Sequence, residues 1–75
     1  MQEAALMLRI RVVTVSTEAA VRSLGRTNAQ VPEVVARGRS LLDQLEPQVR
    51  GHESDEVRLA FAQARDELES MGAEG

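Results

Sequence analysis

Apolar residues recur at helical spacing in the rear two thirds of the chain. Near the C-terminus they fall every three or four positions, as on one face of an α-helix, at Val57, Phe61, Ala64, Leu68 and Met71. Ser54 precedes this run as a cap, and the pattern predicts a helix over about 54–71.

A second helix is predicted over about 32–46, with Pro32 in its first turn and Pro47 ending it. Its apolar face comprises Val34, Val35, Leu41, Leu42 and Leu45.

A shorter helix is predicted over about 16–25. Ser16 or Thr17 can cap its first turn, and Gly25 is a typical stop.

The segment before it, residues 6–15, has two interpretations. As a strand it places Leu6, Leu8, Ile10 and Val12 on one face, and five of its last six residues are β-branched. As a helix it forms one apolar seam through Leu6, Ile10, Val13, Thr17, Ala20 and Leu24, and a second apolar stripe on the far side through Leu8, Val12, Val15 and Ala19. We favour the strand, because a helix with two apolar faces needs two covers and a chain this small has little to supply.

The expected fold class is therefore mainly α: a short N-terminal strand followed by three helices, about 16–25, 32–46 and 54–71. The alternative is an all-α helical hairpin or three-helix bundle. A chain of 75 residues forms one small domain and buries only about 60% of its unfolded surface. With one aromatic residue and no cysteine to add a disulfide, we expect stability to come from self-association as a homodimer or from a partner protein.

Charge divides the chain in two. Residues 1–40 carry six arginines and three glutamates, a net charge of +3, whereas residues 41–75 carry three arginines and nine acids, a net charge of −6. This asymmetry suggests two surfaces with different partners. We expect residues 8–46 to form a dimerisation and DNA-binding core, and residues 47–75 to form an acidic helix that binds a partner protein.

Arg9 and Arg11 carry the candidate nucleic-acid chemistry. On a strand they project from one face, about 7 Å apart at ~3.3 Å per residue. Two such strands paired across a dimer would present four guanidiniums on one ribbon. A two-stranded ribbon fits the major groove of DNA, where arginine reads guanine edges with two hydrogen bonds.

The sequence contains few residues suited to catalysis or metal binding. The cluster His52–Glu56 contains the only histidine, and consecutive residues cannot converge on one ion without a special loop. No cysteine nucleophile and no glycine-rich phosphate loop are present. We therefore expect no enzyme, no metal and no cofactor. Neither a signal peptide nor a run of membrane-spanning length is evident, so we expect a cytoplasmic protein without a membrane partner.

Two stretches resemble the ribbon-helix-helix antitoxins, especially the ParD type. Residues 21–29 (VRSLGRTNA) resemble the helix end and turn of that family, and residues 33–44 (EVVARGRSLLDQ) its second helix. The resemblance implies a homodimer that binds operator DNA and regulates transcription, with Arg9 and Arg11 in the groove. It implies that Asn28 and the start of the second helix hold a backbone phosphate, and that the acidic C-terminal segment neutralises a toxin.

A second resemblance competes with the first. Residues 51–57 (GHESDEV), with Ala60, Ala64 and Leu68, resemble small all-helical proteins associated with specialised secretion.

The leading hypothesis is an antitoxin-like regulator whose partner contacts are Val57, Phe61, Ala64, Leu68 and Met71. The alternative is an all-helical protein-binding adaptor or secretion-associated hairpin without DNA binding. The backbone conformation of residues 6–15 separates the two hypotheses.

Overall fold

The chain folds into three α-helices that pack against one another as a bundle. The computed structural model describes residues 2–52 and 54–73. Helix α1 spans Glu3–Leu24, α2 spans Val31–Arg50 and α3 spans Asp55–Ala73. Every pair of helices is in contact, and the bundle measures 39 × 18 × 16 Å. The mainly α prediction is confirmed, and the three-helix bundle given as the alternative fits the structure.

The predicted N-terminal strand is wrong, because residues 6–15 belong to a single helix that continues to Leu24. A helix pairs its backbone N–H and C=O groups internally. A lone strand would leave these groups unpaired, because the rest of the described chain offers no second strand. The helix also buries one full side of α1 against α2 and α3, through Leu6, Ile10, Thr14, Thr17 and Val21. Thr14 satisfies its buried hydroxyl locally by donating to the carbonyl of Ile10 at 3.1 Å.

Helix α2 passes through Pro47 and ends at Arg50, so its predicted end at residue 46 is wrong. Proline lacks an N–H and removes only its own bond to the carbonyl four residues earlier. The last turn still forms, since Val49 is buried in the core and the N–H of Gly51 donates to the carbonyl of Pro47 at 3.1 Å. Helix α3 lies within two residues of its predicted bounds at both ends.

The core consists of one buried side from each helix. Besides Leu6, Ile10 and Val21 of α1, its apolar members are Val31, Val35, Leu42, Leu45 and Val49 of α2, and Val57, Phe61, Ala64 and Leu68 of α3. Ion pairs at 4.0 Å join the rims of α2 and α3, between Arg39 and Glu69 and between Arg65 and Glu46. None of the described helices is both long and apolar enough to cross a membrane.

Helices α1 and α2 are in close contact where Thr17 faces Gly38. A Cβ atom added to Gly38 would lie 2.6 Å from the Thr17 hydroxyl oxygen and 3.3 Å from its methyl carbon. Both residues are buried, so neither can move into solvent. Glycine is therefore required here by lack of space and not by backbone conformation, because the φ angle of Gly38 is not positive.

We predict that Gly38→Ala destabilises the bundle by about 1–3 kcal/mol, because steric overlap with Thr17 outweighs the gain in helix propensity of about 1 kcal/mol. Thr17→Ala removes both atoms nearest the new methyl group and leaves only a Cβ at 3.4 Å, an ordinary contact. The loss caused by Gly38→Ala should therefore shrink in a Thr17→Ala background. Urea unfolding of the four proteins of this cycle measures the coupling. A Gly38→Ala variant as stable as the parent chain would contradict the steric argument.

Candidate protein-docking surface

The side of α1 that faces away from the bundle carries a continuous apolar stripe. Its members recur at spacings of four, three and four residues, which places them along one line of the helix opposite the buried side. Three of them are large and more than half exposed: Leu8 at 62%, Val12 at 52% and Val15 at 57%. We call the set Leu8, Val12, Val15 and Ala19 the outer stripe.

The outward sides of the other two helices are polar. Exposed residues on α2 include Glu33, Arg37, Ser40 and Gln44, and those on α3 include Glu56, Gln63, Asp66 and Ser70. Each of these two helices exposes one large apolar residue, Leu41 and Leu59. Single exposed leucines are common on proteins, whereas a contiguous apolar stripe marks an interaction site. The outer stripe is thus the distinctive surface of the described chain.

Charged residues border the outer stripe along one edge. Arg11 and Glu18 are seven residues apart and therefore lie on the same side of α1, two turns from each other. Glu18 pairs with Arg22 at 2.8 Å, but the side chains of this pair are 44% and 79% exposed. An exposed ion pair contributes little to stability, so Glu18 can exchange this partner for another cation.

A groove between α1 and α3 runs beside the same edge. Its volume is about 690 Å³, and it opens to solvent. Helix α1 contributes Leu8, Arg11, Val15 and Glu18, and α3 contributes Ala60, Gln63 and Glu67. The groove widens the apolar surface and adds a second carboxylate near Glu18.

The predicted DNA-contacting residues are not brought together. Arg9 and Arg11 are two positions apart on a helix and therefore point about 200° apart, on opposite edges of the outer stripe. Asn28 lies in the loop between α1 and α2, where its Oδ1 atom accepts the backbone N–H of Gln30 at 2.8 Å. Arg11 lies 13 residues before the end of α1, so about 20 Å of helix separates it from the loop that contains Asn28. Without a strand, the four-guanidinium ribbon has no counterpart here, and operator binding stays a prediction.

The predicted partner contacts of α3 lie inside the bundle. Val57, Phe61, Ala64 and Leu68 are at most 7% exposed, and Met71 packs against the same core. They can reach a partner only if α3 leaves the bundle, so this assignment also stays a prediction. Part of the His52–Glu56 cluster, Glu53, lies outside the described residues. Among the residues described, no three histidines or carboxylates converge as they would on a metal ion.

No family model matches the chain, and no curated protein or solved structure shows significant similarity to it. The resemblances to ribbon-helix-helix antitoxins and to secretion-associated helical proteins therefore stay predictions.

We expect the folded chain to show no saturable, sequence-specific binding to a DNA duplex from upstream of its own reading frame. A helical α1 separates Arg9 and Arg11, and its exposed apolar stripe is unsuited to a phosphate backbone. Fluorescence anisotropy at low salt measures this, with Arg9→Ala/Arg11→Ala as the matched variant. Binding that falls steeply with salt and disappears in that variant would contradict our interpretation and restore the regulator hypothesis.

Proposed function

We propose that this chain is a non-enzymatic protein-interaction module, a three-helix bundle that docks an amphipathic helix of a partner on the outer stripe of α1. The observation that carries the proposal is the exposure of Leu8, Val12 and Val15 along one line of the helix. This corresponds to the adaptor alternative and not to the DNA-binding one.

The spacing of the outer stripe suits a helical partner. Anchors separated by four, three and four residues form the seam that a second helix covers with its own apolar residues. The stripe lies on a helix held in place by its buried side, so it is ordered before binding and costs little entropy when a partner docks. A flexible loop would have to be ordered first.

The energy available indicates a reversible contact. Full burial of a leucine or valine side chain stabilises by about 1.5–3 kcal/mol, and the three large members of the stripe are already partly covered. They therefore contribute about 3 kcal/mol together, with a similar amount from the partner, before the cost of association is subtracted. We infer an affinity typical of regulated or transient assemblies.

A photo-crosslinking residue in place of Val12 tests this proposal in the cells that make the protein. We expect one discrete adduct from Val12, because its side chain would lie against the docked helix. The same crosslinker at Gln44, an exposed position on the polar side of α2, should give none.

A second substitution checks that the adduct reports docking. Leu8→Asp introduces a charge about one helical turn from Val12 and should abolish the adduct without unfolding the bundle, since Leu8 is 62% exposed. No adduct at Val12, or equal adducts at Val12 and Gln44, would overturn the proposed function.

A further inference from the structure

We infer that the occupant of the outer stripe is α1 of a second copy of this chain, packed antiparallel. The inference rests on the proposed function, in that it takes the outer stripe to be a docking surface and names its partner. Three features of α1 support it: the sizes of the stripe residues, the charges on their edge and the groove beside them.

The stripe is complementary to itself when one helix is reversed. An antiparallel pair can align so that Val12 faces Val15 of the second copy, and Val15 faces its Val12. Leu8 then faces Ala19 of the second copy, which sets the largest stripe residue against the smallest. Such alternation of large and small residues lets facing side chains interdigitate, and twofold symmetry repeats each contact.

The charges on the edge also match in this orientation. The same alignment brings Arg11 beside Glu18 of the second copy, and the symmetry gives two such ion pairs. On the other edge Arg9 falls beside Ser16 of the second copy, so no like charges meet. A parallel pair would instead set Arg11 beside Ser16 and Glu18 beside Ser23, with no ion pair. The edge charges thus select the antiparallel orientation.

The groove between α1 and α3 adds a second acceptor. Glu67 of α3 lines it together with Glu18, on the side of the stripe where the arginine of the second copy arrives. Each arriving guanidinium therefore enters a groove that is lined by two carboxylates. Dimerisation also adds buried apolar area to a bundle that is small enough to be marginal alone.

Sedimentation equilibrium of the full chain tests the dimer. We expect the average mass to rise toward twice the 8.2 kDa chain mass as concentration increases. Val12→Asp should weaken self-association by about a hundredfold or more, since it places two unpaired carboxylates in the centre of the interface. Leu59→Asp is the matched control, because Leu59 is 59% exposed on the outward side of α3 and should leave the dimer unchanged. Circular dichroism confirms that both variants are folded.

Charge reversal tests the edge. Arg11→Glu and Glu18→Arg should each weaken the dimer by about tenfold, because each creates two like-charge contacts. The double variant restores opposite charges and should return to within about threefold of the parent affinity. The two single variants, when mixed, should form a heterodimer in preference to either homodimer.

A nitroxide spin label at Ser23→Cys tests the orientation, since the chain has no other cysteine. In the antiparallel alignment the two labelled positions lie 19 residues apart along the axis, about 28 Å at 1.5 Å per residue. A parallel pair would bring them within about 15 Å, the width of two packed helices. Pulsed electron paramagnetic resonance measures the distance, and a short value overturns the antiparallel inference.

The outcomes separate this inference from the proposed function. A chain that is monomeric at all concentrations, with a Val12 adduct to a different protein, overturns the dimer and leaves the docking function standing. A monomer without any Val12 adduct overturns both. A dimer that Val12→Asp leaves intact, or that Leu59→Asp weakens equally, uses another surface and also overturns the inference.

Discussion

Helix α1 is apolar on two opposite sides, and a three-helix bundle can bury only one of them. Its two neighbours cover Leu6, Ile10 and Val21, which are at most 7% exposed, and leave Leu8 and Val12 in solvent. The contacts of α1 with both other helices depend on this choice, because α2 and α3 both pack on the buried side of α1. The outer stripe is the geometric consequence of packing a helix with two apolar sides against the two other helices of residues 2–52 and 54–73.

The presence of helices α2 and α3, though not the end of α2, could be predicted from the sequence because each has a single apolar face, and a period of 3.6 residues has no competing interpretation there. Residues 6–15 could not, since their β-branched side chains favour a strand locally. That preference spans about 1 kcal/mol on a host-protein scale, whereas burying Leu6 and Ile10 stabilises by about 1.5–3 kcal/mol each. Burial against the other helices therefore decides the conformation of residues 6–15, and rules based on local sequence do not take that burial into account.

The same change, from a period of two residues in a strand to 3.6 in a helix, separates the residues of the predicted DNA-binding site. Arg9 and Arg11 share a face at a period of two residues and separate to opposite edges of the outer stripe at a period of 3.6, so the predicted DNA-binding ribbon requires the strand. The outer stripe was visible in the sequence as Leu8, Val12, Val15 and Ala19. A second apolar side argues against a helix only on the assumption that the chain must cover all its own apolar surface. A docking surface is the case in which that assumption fails.

The fold itself does not need the outer stripe. Val12 and Val15 make up part of the exposed side of α1, and valine is less favourable than alanine in a helix by about half a kcal/mol. Polar residues with good helix propensity at these positions would keep the buried side of α1 intact and raise solubility. The exposed valines and Leu8 therefore contribute nothing to the bundle that other residues would not supply better. The three described helices leave these side chains exposed, and the partner helix that we propose would cover them with a second apolar surface.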